Sequence, residues 1–106
     1  MSREKIAALL HDNRIPQNSV VRIAGVSACR FSMWLRGEVE LPEKTREEIA
    51  FAITAMLELI DESPLPLDWR QTMRLKPLLD EKIAGYKRAR IADLRRTFEA
   101  GQVAIA

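Results

Sequence analysis

The segment from Gln17 to Gly37 constrains this chain more than any other part of it. It reads as two short helices joined at Gly25, the second stopped by Gly37. Ser27 stands where the second of these must begin and can cap it. Phe31, Trp34 and Leu35 recur on its inner side at helical spacing, so they belong to a core. A helix pair turned this tightly by glycine predicts an all-α, helix-turn-helix arrangement.

The flanking sequence supplies the helices such a pair needs for burial. Ser2 is expected to cap a first helix with Ile6, Leu9 and Leu10 on one face. Asp12-Asn13 weakens that helix, and Pro16 ends it and suits the first turn of the next. The second helix is expected to bury Val20, Val21 and Ala24. After a short connection over 38–42, Thr45 and Glu48 form a capping box for a fourth helix reaching about Asp61. Its residues Ile49, Ile53, Met56 and Ile60 share one face, while Phe51, Ala55 and Leu59 lie off it. A helix apolar on more than one side needs two partners.

Residues 63–68, with two prolines, read as a stiff linker. Asp68 is expected to cap a short turn carrying Trp69 and Met73. Pro77 is expected to start a long amphipathic helix to about Ala100, with Gly101 ending it and 101–106 frayed. This predicts a domain over 1–62, a linker over 63–68 and a helical extension over 69–100. The extension's apolar residues Leu79, Ile83, Tyr86, Ile91, Leu94 and Phe98 must be covered. Packing on Phe51 and Leu59 of the same chain and packing on the same helix of a second copy are the two options.

Composition narrows the classes. No segment approaches the ~20 uninterrupted apolar residues that span a bilayer, and no secretory signal is read at the N-terminus. One cysteine and one histidine point to a reducing, cytoplasmic setting and to no metal or cofactor. The charge is uneven. Residues 1–40 hold six basic and four acidic side chains, residues 41–63 two and six, and residues 64–106 nine and five, giving +2, −4 and +4.

Residues 15–60 resemble the helix-turn-helix domain of the lambda repressor and Cro family of phage and bacterial regulators. The likeness rests on Gln17, Ala24, Gly25-Val26-Ser27, Ser32-Met33-Trp34-Leu35-Arg36-Gly37, Pro42 and Ile49-Ala50. It covers a little under half of the chain without gaps. It implies a lambda-repressor-like bundle, a sequence-specific DNA-binding function, and a third helix over 27–36 that enters the major groove. Gln17, Ser27, Ala28, Cys29, Arg30, Ser32, Met33 and Arg36 are then the DNA-binding residues, with Gln17 and Arg36 on phosphate and Arg30 and Ser32 as polar readers. The chain departs from the family at Ala28, Cys29 and Met33, where Gln, Ser or Arg usually stand. Small and apolar side chains there imply contact with thymine methyls and readout of DNA shape.

Simpler readings bound the rest. Phe31 and Trp34 pack in the core and are not stacking platforms, Cys29 is an inert small contact, and His11 is solvated. The basic run over 87–96 is read as a solvated helix face. No carboxylate pair, metal cluster or activated nucleophile suggests an enzyme. The expected partners are double-stranded DNA and a second copy built on residues 50–100, with Phe51, Leu59, Leu79, Ile83, Tyr86, Ile91, Leu94 and Phe98 as the expected dimerisation residues, since two half-sites about 34 Å apart multiply affinity. The alternatives are a small interaction factor of the antitoxin or phage-inhibitor type, gripping a further protein with its C-terminal helix, and a DNA-recognition subunit of a phage packaging machine.

Overall fold

The structure, a computed structural model, describes the backbone of residues 1–62 and 68–105 and the side-chain surroundings of those up to residue 97. The described residues form α1 (Arg3–Asp12), α2 (Gln17–Ala24), α3 (Ala28–Leu35), α4 (Glu43–Glu62) and α5 (Trp69–Ile105), with no strand among them. The chain is all-α. Residues 63–67, most of the expected linker, lie outside the described residues.

Local chemistry sets most of the boundaries. The Lys5 amide donates to Ser2 Oγ at 3.2 Å, starting α1. Asn13 closes α1 with its side-chain amide on the Leu9 carbonyl at 2.9 Å. Pro16 sits one residue before α2 in extended backbone rather than in its first turn. Gly25 ends α2 at φ +71° and Gly37 follows α3 at φ +81°, the left-handed region that glycine enters without strain. The Arg30 amide donates to Ser27 Oγ at 3.4 Å, so Ser27 caps α3. The expected Thr45–Glu48 capping box does not open α4. That helix begins at Glu43, and the Arg46 amide bonds the Pro42 carbonyl at 3.0 Å. Pro42 presets the entry, and Glu43 meets the positive helix end, so Thr45 falls inside the first turn.

The core lies around α4. Ile49, Ala52, Ile53, Ala55, Met56 and Leu59 are all buried. At about 100° per residue these cover an arc of about 160°, wider than the ~100° stripe one neighbour covers. The bundle of α1–α3 takes one side with Ile6, Leu10, Val20, Ile23 and Phe31, and α5 takes the other with Leu79 and Ile83. In α2 the buried residues are Ser19, Val20 and Ile23, with Val21 and Ala24 only half-buried. The missed residue, Ile23, is buried because α2 packs against α3, α4 and α5 rather than along one stripe.

Two expectations for the C-terminal half are corrected. Pro77 does not start a helix: α5 runs through it from Trp69. Asp68 caps this longer helix, accepting from the Gln71 amide at 2.8 Å. Pro77 gives up one bond, to the Met73 carbonyl, on a face where both residues are exposed to water. Thr72, Leu79 and Ile83, on either side of it, are all buried, and that shared packing carries the helix across. Nor does Gly101 end the helix, which continues to Ile105. A glycine costs about 1 kcal/mol relative to alanine inside a helix, too little to stop one already nucleated. At 1.5 Å per residue α5 is about 55 Å long and sets the molecule's longest dimension, 53 Å.

Two glycine substitutions should act in opposite directions. A Cβ on Gly25 meets nothing within 4 Å, but φ is +71°, so Gly25→Ala is expected to cost about 1–2 kcal/mol from backbone strain alone. Gly85 lies inside α5, and its added Cβ would have only Arg88 Nη2 at 3.9 Å. Gly85→Ala is expected to add about 0.5–1 kcal/mol. Urea denaturation of both variants gives the signs; a stabilised Gly25→Ala would contradict the left-handed turn.

Candidate nucleic-acid interface

The site is built on α3, whose two sides differ sharply. Phe31 and Trp34 are 0% and 3% exposed, their rings stacked with centroids 6.2 Å apart. Arg3 reaches from α1 to lie over the Trp34 ring at 5.5 Å and pairs with Glu40 at 3.4 Å. This contact seats α3 against α1 and was not read from the sequence, because Arg3 and Trp34 are linked only by the fold. Leu35, expected in the core, is half-buried.

On the other side, Ala28, Cys29, Arg30 and Arg36 are exposed, and Ser32 and Met33 are half-buried. The Cys29 thiol contacts Met33 Sδ at 3.7 Å, one helical turn on. These two sulfur side chains form a low apolar ridge along the middle of the face. Two shallow grooves open beside α3. One brings Gln17 of α2 together with Ser32 and Arg36 of α3, beside Leu10 and His11 of α1. The other joins Ser27 and Arg30 to Lys44 and Thr45 at the start of α4. Seven of the eight expected residues thus line a groove or form the ridge, and Ala28 is exposed beside them. Lys44 is an addition: it stands just after Pro42, and the short connection folds it toward Arg30. Arg36 is partly neutralised by Glu38, with Nη2 and Oε2 3.1 Å apart.

The residues expected for dimerisation separate into two groups. Leu59, Leu79 and Ile83 are buried in the chain's own core, and Phe51 stacks on Tyr86 at 6.2 Å. Their surface is already covered within one chain. Ile91 and Leu94, in contrast, are 52% and 59% exposed. The Phe98 side chain lies outside the described residues.

Ion pairs hold α5 on α4. Lys82 lies between Glu62 at 3.1 Å and Glu58 at 3.4 Å, Lys87 meets Glu48 at 2.8 Å, and Arg90 meets Glu47 at 2.7 Å. Lys87 and Arg90 of the basic run over 87–96 are therefore answered by α4 and Arg96 by Asp93 at 3.0 Å, while Arg88 and Arg95 make no ion pair among the described residues. The bond from Glu62 holds the Lys82 ammonium above its ordinary pKa against the opposing cost of burial. The nearby Tyr86 hydroxyl, followed by Lys82, holds the Glu58 carboxyl below its own. Tyr86 Oη is buried and makes no hydrogen bond of good geometry among the described residues. Burial first, and the Glu58 carboxylate second, push its pKa above the ordinary tyrosine value.

Among the described residues there is no group of three or more His, Cys, Asp or Glu placed to hold a metal ion, and no helix long and apolar enough to cross a membrane. Compared with known proteins, the chain matches no family model, no curated protein and no solved structure.

Tyr86→Phe keeps the ring stack on Phe51 and removes only the buried hydroxyl. Because the folded-state pKa is raised above the ordinary 10.0, the stability tied to the neutral hydroxyl is present below that pH. It is lost as pH rises through and past it. The variant is expected to lie within about 1 kcal/mol of the parent at neutral pH. It should lose less stability than the parent on titration into the alkaline range. Parallel alkaline losses in the two proteins would show that Tyr86 does not contribute.

Proposed function

We propose that this chain is a non-enzymatic, sequence-specific DNA-binding regulator of the lambda repressor and Cro type. It binds an inverted repeat as a homodimer, with residues 27–36 in the major groove. The observation that carries the reading is the division of α3. Phe31 and Trp34 hold it on the bundle, while Ala28, Cys29, Arg30 and Arg36 face outward on a short helix capped by Ser27. A helix fixed by its inner aromatics and bare on its outer side suits insertion into a groove about 12 Å wide.

The division of labour follows from side-chain chemistry. Gln17, in the first turn of α2, and Lys44, near the start of α4, bind phosphates on the two flanks, where free backbone amides assist. Arg30 and Ser32 carry hydrogen-bonded base readout. Cys29 and Met33 pack on thymine methyls. Ile91 and Leu94 on the outer half of α5 supply the contact between copies, since the residues nearer the bundle are already covered.

A second reading has one observation in its favour. The same exposed Ile91 and Leu94 suit an interaction factor of antitoxin or phage-inhibitor type, gripping a different protein.

Two measurements separate the readings. Purified protein is titrated with DNA from upstream of its own coding sequence and with a scrambled duplex, across a salt series. The regulator is expected to prefer the first and to weaken steeply with salt, through counterion release. Arg30→Ala should cost about 1–3 kcal/mol and relax the base preference at one position. Equal, weak binding to both duplexes would favour the second reading. Leu94→Asp, at an exposed position, is expected to leave the fold intact and to convert a dimer to single chains by light scattering. A Leu94→Asp variant that stays dimeric would remove this helix from the interface.

A further inference from the structure

The cations of α5 are not equivalent: some are paired with carboxylates and others are not. Lys82, Lys87 and Arg90 are paired with α4 carboxylates. Lys76 is paired with Asp80 at 2.6 Å. Arg70 and Arg74 in the first turns of α5, and Arg88 and Arg95 further on, are all exposed and make no ion pair among the described residues. Of these, Arg70 and Arg74 follow directly on Trp69, where a cation of α2 meets the helix. That cation, Arg22, is exposed and makes no ion pair either. Its guanidinium lies over the Trp69 ring at 5.3 Å.

We infer that Arg22, Arg70 and Arg74 form a second phosphate-binding track that holds the DNA backbone outside the segment read by α3. The inference rests on the DNA-binding reading and extends it. Three features point to nucleic acid. First, cations from two helices meet at one place: the Arg22 guanidinium of α2 lies over Trp69, the residue before Arg70 of α5. Second, Arg70 and Arg74 are one turn apart, about 6 Å along the helix, which lets each fork engage a different phosphate of a backbone that carries a charge every 3.4 Å per strand. Third, Asp68, two residues before Arg70, is turned to the helix end as the cap of α5, accepting from the Gln71 amide at 2.8 Å, and pairs with neither guanidinium.

Trp69 in this arrangement is a brace and not a base-stacking platform. It is 46% exposed, and the guanidinium above it covers part of its ring. A cation–π contact at such a site is worth about 0.5–1 kcal/mol, enough to keep the Arg22 side chain extended across the gap between α2 and α5. The site needs the N-terminal half of α5 to lie near α2, and the two helices pack against each other, with Arg22 over Trp69. Phosphate is sequence-independent, so the track adds affinity and salt dependence without base preference.

The test uses the full chain and a mixed-sequence duplex of about 40 base pairs, long enough to pass beyond one motif, with binding measured across a salt series. Arg70→Gln with Arg74→Gln removes two forks at exposed positions. Arg70→Lys with Arg74→Lys keeps their charge. The glutamine variant is expected to fold as the parent does and to show a log–log salt slope shallower by about 1.8 per protomer, the value for two lost phosphate contacts. The lysine variant should keep most of the parent slope. Equal slopes for parent and glutamine variant would overturn the track while leaving the DNA reading in place, provided Arg30→Ala still weakens binding. A parent that binds no duplex at low salt would overturn both. Unchanged DNA slopes, with loss of binding to a glutamate–phenylalanine copolymer, would assign the arginines to an acidic protein segment and so also overturn the track.

Discussion

The burial of α4 on two sides is the constraint on which the rest of the molecule depends. Its apolar arc of about 160° cannot be covered by the α1–α3 bundle alone, since a single packed neighbour covers a stripe of about 100°. A bundle of four helices would leave the Ala55–Leu59 side facing water. The chain closes that side with Leu79 and Ile83, and this contact has further effects. It carries α5 across Pro77 and brings Trp69 to Arg22. It also lines up Lys82, Lys87 and Arg90 against the acidic side of α4. The ion pairs are at the surface and each contributes little, about 0–1 kcal/mol. Their effect is on register and on charge: they cancel much of the −4 of residues 41–63 against the +4 that follows.

Where one residue's chemistry decides a boundary, the sequence could be read directly. Ser2, Gly25, Ser27, Gly37 and Asp68 each act through a cap or a left-handed φ that their own side chain, or lack of one, dictates. Phe31 and Trp34 were legible by period. The errors came where tertiary packing outweighs local preference. Pro77 and Gly101 are helix breakers in isolation, yet each costs less than the packing or helix continuity around it. Ile23 was missed because α2 is covered on more than one side, so a single stripe understates its core. Of the candidate site, the eight residues on or beside α3 came from one contiguous motif. Lys44, Arg3 and the Arg22–Trp69 contact did not, because each depends on how separate helices meet.

The same packing divides α5 into halves with different tasks. From Trp69 to Tyr86 it is part of the core, and its exposed side there carries arginines. Beyond Arg90 its described residues are exposed all round, with Ile91 and Leu94 among them. A helix that leaves its bundle with an apolar stripe needs a partner for that stripe, or it remains an aggregation liability. On the proposed reading the partner is a second copy. Its symmetry supplies the second recognition helix that a single short α3 cannot do without.

The apolar ridge of Cys29 and Met33 sharpens what such a pair of helices can achieve. A bidentate contact is worth about 1–3 kcal/mol of discrimination per base, and on the outward face of α3 only Arg30 is placed as a reader of that kind, with Ser32 adding a single hydrogen bond. Two copies double that number but still leave a modest total against the many competing sites of a genome. Contacts with thymine methyls add to it in proportion to buried area, about 25 cal/mol per Å², which favours A·T steps without strict selection. In the proposed complex, affinity then comes mainly from the backbone, through Gln17, Lys44 and the arginines at the start of α5. On the proposed reading the protein grips DNA broadly and selects within that grip by a few base contacts and by shape. Its occupancy of a target therefore depends on dimer concentration and on ionic strength more than on any single base contact.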